Sequence, residues 1–142
     1  MIRYLIDSSA VWRILRDPAT RTGWSGVISD HAIASCQPQR AEFRRSARNP
    51  DEYDQMMTMF VDLYPDVPLP KNVWRWVESA QYRLLLAGSH RAMSCVDLLV
   101  GACAALHGLV VLHDDNDFVV AARTLTDLRE RHVSNLPEPV AD

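Results

Sequence analysis

The chain has 142 residues, 48% of them hydrophobic, and a formal net charge of −3 at pH 7. This length fits one compact domain over residues 1–142, and the small negative charge argues against a protein coated with phosphate-binding cations. No apolar run approaches the roughly 20 residues of a membrane helix, and the N-terminus lacks the features of a signal peptide, so we expect a soluble cytoplasmic protein that makes no membrane contact.

The chain contains three cysteines, an odd number, and they lack the C-x-x-C spacing of a zinc site. Neither disulfide bonds nor a zinc ion are therefore expected. Cys36, Cys95 and Cys103 are predicted to be small residues in core or semi-buried positions.

The chain begins with a short apolar strand that leads directly into a helix. Residues 2–6 are too few for a helix, and the two serines after Asp7 are good N-cap residues ahead of an apolar pattern, which predicts a helix over 8–17 that ends before a proline. Asp7 is therefore expected at the carboxyl end of a strand, where open parallel sheets bind their ligands. Alternatively, Asp7 only caps the helix, because Asp is a strongly preferred N-cap residue.

The rest of the chain alternates helical patterns with short apolar runs. Helices are predicted over 24–30, 39–47, 51–64, 94–107 and 118–125, with a further long helix between Asn72, its cap, and Gly88. Strands are predicted at 32–35, 109–112 and 131–133, with room for a short edge strand at Val67 in a proline-rich connector. The alternation predicts a three-layer α/β/α domain with a mainly parallel central sheet, followed by a loose tail from about residue 136.

The predicted helix over 51–64 carries a stripe of methionine and aromatic side chains at i, i+3, i+4 spacing: Tyr53, Met56, Met57, Phe60 and Leu63. Such a stripe usually packs in a core, because methionine fills irregular gaps. Together with Trp74 and Trp76, however, it is more apolar surface than one small domain obviously needs. Any part left exposed would mark a partner site.

Isolated acids recur at the ends of two predicted strands and near the beginning of two predicted helices. They are Asp7 after the first strand, Glu42 and Asp97 on two helices, and the run Asp114-Asp115-Asn116-Asp117 after strand 109–112. Four carboxylates from distant positions can converge at one edge of a parallel sheet. Clustered carboxylates repel one another and raise each other's pKa unless a cation lies among them, so the pattern favours a hard divalent ion.

Each of these acids also has a purely structural interpretation. Ser94-x-x-Asp97 matches a capping box, and Asp117 could cap the helix that begins at Phe118. Glu42 could be a solvent-facing partner of one of the arginines that follow it. None of these interpretations explains why acids recur at strand ends.

Four segments carry a specific combination of residues. They are Asp7-Ser8-Ser9-Ala10, Glu42 in the third helix, Ser94-Cys95-Val96-Asp97-Leu98-Leu99-Val100-Gly101-Ala102, and Leu112-His113-Asp114-Asp115-Asn116-Asp117-Phe118. Together they resemble a PIN domain, and specifically a VapC-type toxin ribonuclease of a type II toxin–antitoxin system. The resemblance covers nearly the whole chain in the same order, which makes the combination specific although each motif alone is weak.

The resemblance implies catalytic acids at Asp7, Glu42, Asp97 and Asp115, with Asp117 as a frequent auxiliary in the D-x-D-F pattern. One departure is His113, where relatives often have a hydroxyl residue, which leaves open a role for this histidine in supporting the acids without binding the ion. Because Asp114 is adjacent, the choice between Asp114 and Asp115 as the fourth acid stays open.

The resemblance also implies endonucleolytic cleavage of RNA that depends on Mg²⁺ or Mn²⁺. A carboxylate-held ion activates a water and stabilises the charge of the phosphorane. The expected metal set is Asp7, Asp97, Asp115 and Asp117. Since magnesium keeps several waters, Asp7 and Asp97 are the expected direct ligands, with Glu42 and Asp115 acting through water or positioning the nucleophile.

A cognate VapB-type antitoxin and a homodimer are the partners that the resemblance implies, in addition to the RNA. The antitoxin is expected to lay apolar side chains along the 53–64 stripe and to direct an Arg or Lys into the acid pocket. Four arginines flank Glu42 and either contact the RNA backbone or form an ordinary solvated face: Arg40, Arg44, Arg45 and Arg48.

Three other classes of protein fit the sequence less well. A receiver-type signalling domain would have adjacent acids after the first strand and a lysine after a late strand, whereas serines follow Asp7 and Lys71 lies in the proline-rich connector. An aspartyl phosphatase would have D-x-D after the first strand. A non-catalytic interaction protein on the PIN fold would not need all four acids.

Overall fold

The computed structural model describes residues 1–139, and its centre is a four-stranded sheet in which every neighbouring pair of strands is parallel. The strands are β1 (Tyr4–Ile6), β2 (Ile33–Ala34), β3 (Val110–His113) and β4 (Arg129–His132). The strand order is β2-β1-β3-β4, so β1 and β3 occupy the middle.

Seven helices surround this sheet in the described residues. They are α1 (Ser8–Arg16), α2 (Pro18–Ser29), α3 (Gln37–Arg44), α4 (Pro50–Leu63), α5 (Val73–Leu86), α6 (Cys95–His107) and α7 (Asn116–Thr124). No helix in residues 1–139 is both long enough and apolar enough to cross a membrane.

The core is divided into two apolar clusters because successive strand side chains point to opposite faces of the sheet. Leu5 and Val111 belong to one cluster with buried residues of α5, α6 and α7. Tyr4, Ile6 and Leu112 belong to the other with residues of α1 to α4. Helices therefore cover both faces of the sheet, which confirms the predicted three-layer α/β/α architecture with a parallel sheet.

The second helix is longer than predicted, since it begins at Pro18 rather than near residue 24. Proline is well tolerated in the first turn, where its missing N–H would have no helical partner. The Asp17 carboxylate accepts a hydrogen bond from the Thr20 hydroxyl at 2.6 Å, which stabilises the first turn of α2. The glycines at 23 and 26 and the polar run at 20–22 obscure the helical pattern in the sequence.

Several element ends also differ from the predictions. The last helix begins at Asn116 with Asp115 as its N-cap, so Asp117 is not the cap. Asn72 occupies the N-cap position of α5 but its side chain makes no capping hydrogen bond. The edge strand predicted at Val67 is a single parallel bridge between Ser35 and Asp66.

The cysteines and the C-terminal tail agree only in part with the predictions. All three cysteines are free, and Cys36 and Cys103 are buried, but Cys95 is exposed, so its predicted core or semi-buried position is wrong. The tail predicted to be loose starts at Leu136, whose carbonyl accepts a hydrogen bond from Arg131 at 2.8 Å. Residues 140–142 of that tail lie outside the described residues.

Candidate functional site

The site lies at the carboxyl ends of the two central strands. Ile6 pairs with Leu112 in register, so the residues that follow β1 and β3 are neighbours in space. The amide of Asp7 donates to the carbonyl of Leu112 at 2.9 Å. The sheet therefore brings the first predicted acid next to the acidic run that follows β3.

Three carboxylates form a tight cluster at this edge. Asp97, Asp115 and Asp117 each offer an oxygen, and the three oxygens lie within 4.8 Å of one another. Opposite ligands of an octahedral Mg²⁺ are about 4 Å apart, because each lies ~2.1 Å from the ion. The spacing of the cluster is compatible with a small divalent cation.

Asp7 is only 4% exposed, and its two carboxylate oxygens differ in their surroundings. Oδ2 accepts the amide and the hydroxyl of Ser9, at 3.2 and 2.6 Å, and caps α1. Oδ1 is buried and has no hydrogen-bond partner among residues 1–139. Asp7 therefore caps the helix with one oxygen and keeps the other available for a ligand.

Burial raises the pKa of Asp7 to about 6. The two hydrogen bonds from Ser9 oppose this rise, while the nearby charges of Asp97 and Glu42 add to it. The carboxylate of Asp7 is consequently costly to ionise unless a cation lies beside it.

Asp97 makes the predicted capping box and also belongs to the cluster. Its Oδ2 accepts the Ser94 amide at 3.2 Å, and its own amide donates to the Ser94 hydroxyl at 3.1 Å. Burial raises the pKa of Asp97, and the charges of Asp115 and Glu42 raise it further. The structural and functional interpretations of this acid are therefore compatible.

Glu42 lies near the cluster without belonging to its three closely spaced oxygens. Its charge raises the pKa of both Asp7 and Asp97, which makes it part of the same acidic site. Glu42 forms no ion pair with any residue in the described range, so the predicted alternative of pairing with a following arginine is not found.

Asp114 and Asp115 have different partners although they are adjacent. The Asp114 carboxylate pairs with Arg13 at 3.3 Å and with the Nε2 of His132 at 2.8 Å. Asp115 instead lies in the cluster with Asp97. The structure thus brings Asp115 to the site and directs Asp114 to Arg13 and His132 instead.

Ser9 and His113 are parts of the site whose contacts sequence reasoning did not predict. The Ser9 hydroxyl, besides donating to Asp7, accepts the amide of Asp114 at 2.9 Å. His113 is fully buried; its Nδ1 accepts the amide of Asp115 at 3.1 Å, and its Nε2 lies 2.8 Å from Glu130. For His113, the signal in the sequence is a histidine at the end of an otherwise apolar strand.

The arginines around Glu42 do not all face solvent. Arg40 is buried and donates to the Ser35 hydroxyl at 2.8 Å and to the Tyr64 carbonyl at 2.9 Å, so neither alternative predicted for it, contact with RNA or a solvated face, is correct. Arg44 lies over the ring of Tyr53 and Arg48 pairs with Glu52. Arg44 and Arg48 line an open groove of about 400 Å³ on the surface beside α3 and α4.

The fold and the acidic edge together define a PIN-type α/β protein. Ribonuclease VapC6 of Mycobacterium tuberculosis is 61% identical to the chain over 114 residues, which is 80% of this chain and 90% of that protein. Ribonuclease VapC21 of the same organism is 34% identical over 116 residues, covering 82% of this chain and 83% of that protein. The chain belongs to the VapC ribonuclease family, which confirms the resemblance seen in the sequence.

A solved structure has the same fold at low sequence identity. The crystal structure of VapBC2 from Rickettsia felis bound to a promoter DNA fragment matches with a TM-score of 0.75 and 14% identity, covering 93% of this chain and 98% of that chain. A scan of the chain against models of known protein families finds no match.

Proposed function

We propose that the acidic edge of this VapC ribonuclease is a metal-dependent endoribonuclease site in which Asp7, Glu42, Asp97 and Asp115 are the catalytic acids and Asp117 is an auxiliary. The observation that carries the proposal is the buried, unpartnered Oδ1 of Asp7 beside the cluster of Asp97, Asp115 and Asp117. A carboxyl group that is this costly to ionise is most readily kept in its charged form at neutral pH when a cation binds it.

The available donors favour Mg²⁺ or Mn²⁺. The two nearby imidazoles are already engaged, His113 with Glu130 and the Asp115 amide, and His132 with Asp114 and Ser134. The acids that remain offer only carboxylate oxygen, the ligand type that hard divalent ions prefer. The proposed metal set is Asp7, Asp97, Asp115 and Asp117.

The proposed roles of the protein residues follow from their surroundings. Asp7 and Asp97 would hold the ion, because a hydrogen bond to Oδ2 fixes each side chain and leaves Oδ1 able to bind a cation. Glu42 has no ion pair in the described chain and is the acid available to orient the attacking water or to accept its proton. When bound, the ion would supply Lewis-acid activation of that water and stabilisation of the developing phosphoryl charge.

Purified protein incubated with total RNA, with and without Mn²⁺, tests this proposal when the newly formed ends are sequenced. We expect new internal ends with the wild type and Mn²⁺, and none with Asp97→Asn. Equal cleavage by wild type and Asp97→Asn would contradict the assignment of the activity to this site. The cytoplasm is where such an enzyme would meet RNA.

We further propose that this ribonuclease is the toxin of a toxin–antitoxin pair, held by a VapB-type antitoxin. The Rickettsia felis structure with the same fold is a VapBC2 assembly. An apolar groove of about 230 Å³ runs between α1, α3 and α4, and its lining includes Trp12, Phe43, Met56 and Met59. An apolar antitoxin segment could lie in this groove and extend a cationic side chain to the acids.

The stripe predicted on α4 is divided between core and surface. Phe60 is fully buried, whereas Tyr53, Met57 and Leu63 are exposed. Trp76 is also buried, and its indole donates to Asp127 at 2.6 Å. The partly exposed α4 face therefore supports the antitoxin proposal, whereas Trp76 and Phe60 have a structural role.

For the proposed homodimer, the best candidate surface is on α5. Tyr82, Leu85 and Leu86 are adjacent on this helix at i, i+3, i+4 spacing, and all three are exposed, Leu86 by 71%. Trp74, 56% exposed, lies near the N-terminal end of the same helix. An apolar face of this kind is typical of an interface. Sedimentation of Leu86→Glu beside the wild type tests it: the proposal expects a dimer only for the wild type.

A further inference from the structure

The loop that carries Asp115 is held by a fully buried histidine. Nδ1 of His113 lies 3.1 Å from the amide of Asp115, and Nε2 lies 2.8 Å from Glu130 Oε1. A backbone amide can only donate, so Nδ1 accepts and carries no proton. The proton of the neutral ring is then on Nε2, which donates to Glu130.

The surroundings of the ring leave it one orientation. His113 pairs in register with His132 of β4, whose ring meets it edge-on at 5.7 Å, and the ring of Phe118 lies 5.3 Å away. Glu130, on the same neighbouring strand, fixes the far nitrogen. The ring cannot turn without losing both hydrogen bonds.

Asp115 in turn controls two of the three clustered carboxylates. Its backbone is extended, and its Oδ1 accepts the amide of Asp117 at 2.9 Å, which caps α7. The bond from the Asp115 amide to His113 fixes the start of this turn. A shift at His113 would therefore move Asp115 and Asp117 together relative to Asp97.

We propose that His113, oriented by Glu130, is a positioning residue that sets the geometry of the metal site through the Asp115 amide. The inference rests on the proposed metal-dependent function of that site. Loss of a hydrogen bond that orients a metal ligand typically lowers metal affinity by about 10- to 100-fold.

The test measures Mn²⁺ binding to the intact protein by calorimetry, without RNA. His113→Leu removes both hydrogen bonds and is expected to weaken Mn²⁺ binding about tenfold or more. His113→Asn keeps an acceptor near the position of Nδ1 and is expected to restore most of that loss. The control is His107→Gln, which alters an exposed imidazole at the opposite end of α6 from Asp97, in contact with the Pro68 carbonyl at 2.7 Å, and is expected to leave Mn²⁺ affinity unchanged.

Two further readouts keep the proposal testable if His113→Leu does not fold. Glu130→Ala should weaken Mn²⁺ binding less than loss of the ring, and nitrogen NMR of the wild-type histidines, assigned with His113→Asn, should show His113 with its proton on Nε2. Wild-type affinity in both Glu130→Ala and His113→Leu would overturn the inference, as would equal losses in His107→Gln and His113→Leu or a proton on Nδ1. Each of these results would leave the nuclease proposal intact. A wild-type protein that does not bind Mn²⁺ would overturn both.

Discussion

The hydroxyl of Ser9 donates to the buried carboxylate of Asp7 at 2.6 Å. The Ser9 hydroxyl oxygen also accepts a hydrogen bond from the amide of Asp114 at 2.9 Å. One small side chain therefore connects the residues that follow the two central strands. Ser9 is thereby both a stabilising link across the sheet edge and the main hydrogen-bonding support for the charge on Asp7.

Ser9→Ala should raise the pKa of Asp7 further, because the bond from Ser9 is what lowers it against burial. It should also destabilise the fold at neutral pH by about 1–3 kcal/mol, since a bond to a charged group is lost. Urea unfolding and an NMR titration of Asp7 measure the two effects. Ser25→Ala is the matched control, because Ser25 is exposed and bonds only a local carbonyl; equal losses in both variants would contradict the role of Ser9.

Asp7→Asn should stabilise the metal-free protein at pH 7 by about 3 kcal/mol. Burial raises the pKa of Asp7 from 3.8 to about 6, so the favourable contribution of its neutral form is complete below pH 3.8 and is lost as the pH rises through about 6. The difference between variant and wild type should therefore be near zero in acid and grow across that interval. Denaturant unfolding in EDTA from about pH 4 to about pH 8 measures it; a constant difference would show that Asp7 is not the titrating group.

Asp115→Asn should abolish RNA cleavage, whereas Asp114→Asn should retain most of it. Asp115 belongs to the carboxylate cluster, but Asp114 is held by Arg13 and His132. Both variants remove one charge from adjacent positions, so each controls for the other. Initial rates on the same RNA at saturating Mn²⁺ measure the effect, and equal losses would contradict the assignment of the fourth acid.

Divalent cations should raise the melting temperature of the wild type far more than monovalent salt does. An ion that binds only the folded state stabilises it by mass action, and the carboxylates converge only in the fold. The effect should fade at acid pH, where Asp7 takes up a proton. Thermal unfolding with Mn²⁺, with potassium chloride and with the Asp97→Asn variant measures it; a wild-type curve indifferent to Mn²⁺ at neutral pH would count against the metal site.

Met56→Lys should weaken binding of a small antitoxin while leaving cleavage of RNA unchanged. Met56 lines the apolar groove between α1, α3 and α4, and a lysine there would place a charge against apolar antitoxin side chains. Thr58→Lys, on an exposed position of the same helix, is the control. Co-expression with the adjacent upstream small open reading frame, followed by co-purification, measures binding. The toxin proposal fails if the wild type alone does not slow growth and captures no small partner.

The sequence predicts those parts of the fold and site that local signals determine. Asp7 at a strand end and Asp97 in a capping box are predictable because strand, cap and helix patterns lie within a few residues of each acid. The separation of Asp114 from Asp115 depends on partners that are distant in sequence, Arg13 and His132. Local patterns carry no information about such partners, which is why the choice stayed open.

The incorrect predictions have two causes, a distant contact in one case and a local ambiguity in the other. Arg40 lies on the helix that carries Glu42 and looks like a surface cation, yet contacts with Ser35 and Tyr64 hold it in the interior. The start of α2 was missed because Pro18 can end one helix or begin the next, and the structure uses it for both.

The most direct test of the central claim is a crystal structure of the protein with Mn²⁺, in which anomalous scattering locates the ion. The proposed site predicts a peak bound by carboxylates of Asp7 and Asp97, with Asp115 and Asp117 in its coordination shell directly or through water. A peak held elsewhere on the chain, or none at a concentration of Mn²⁺ that supports RNA cleavage, would contradict the claim that this sheet edge is the metal centre of the ribonuclease.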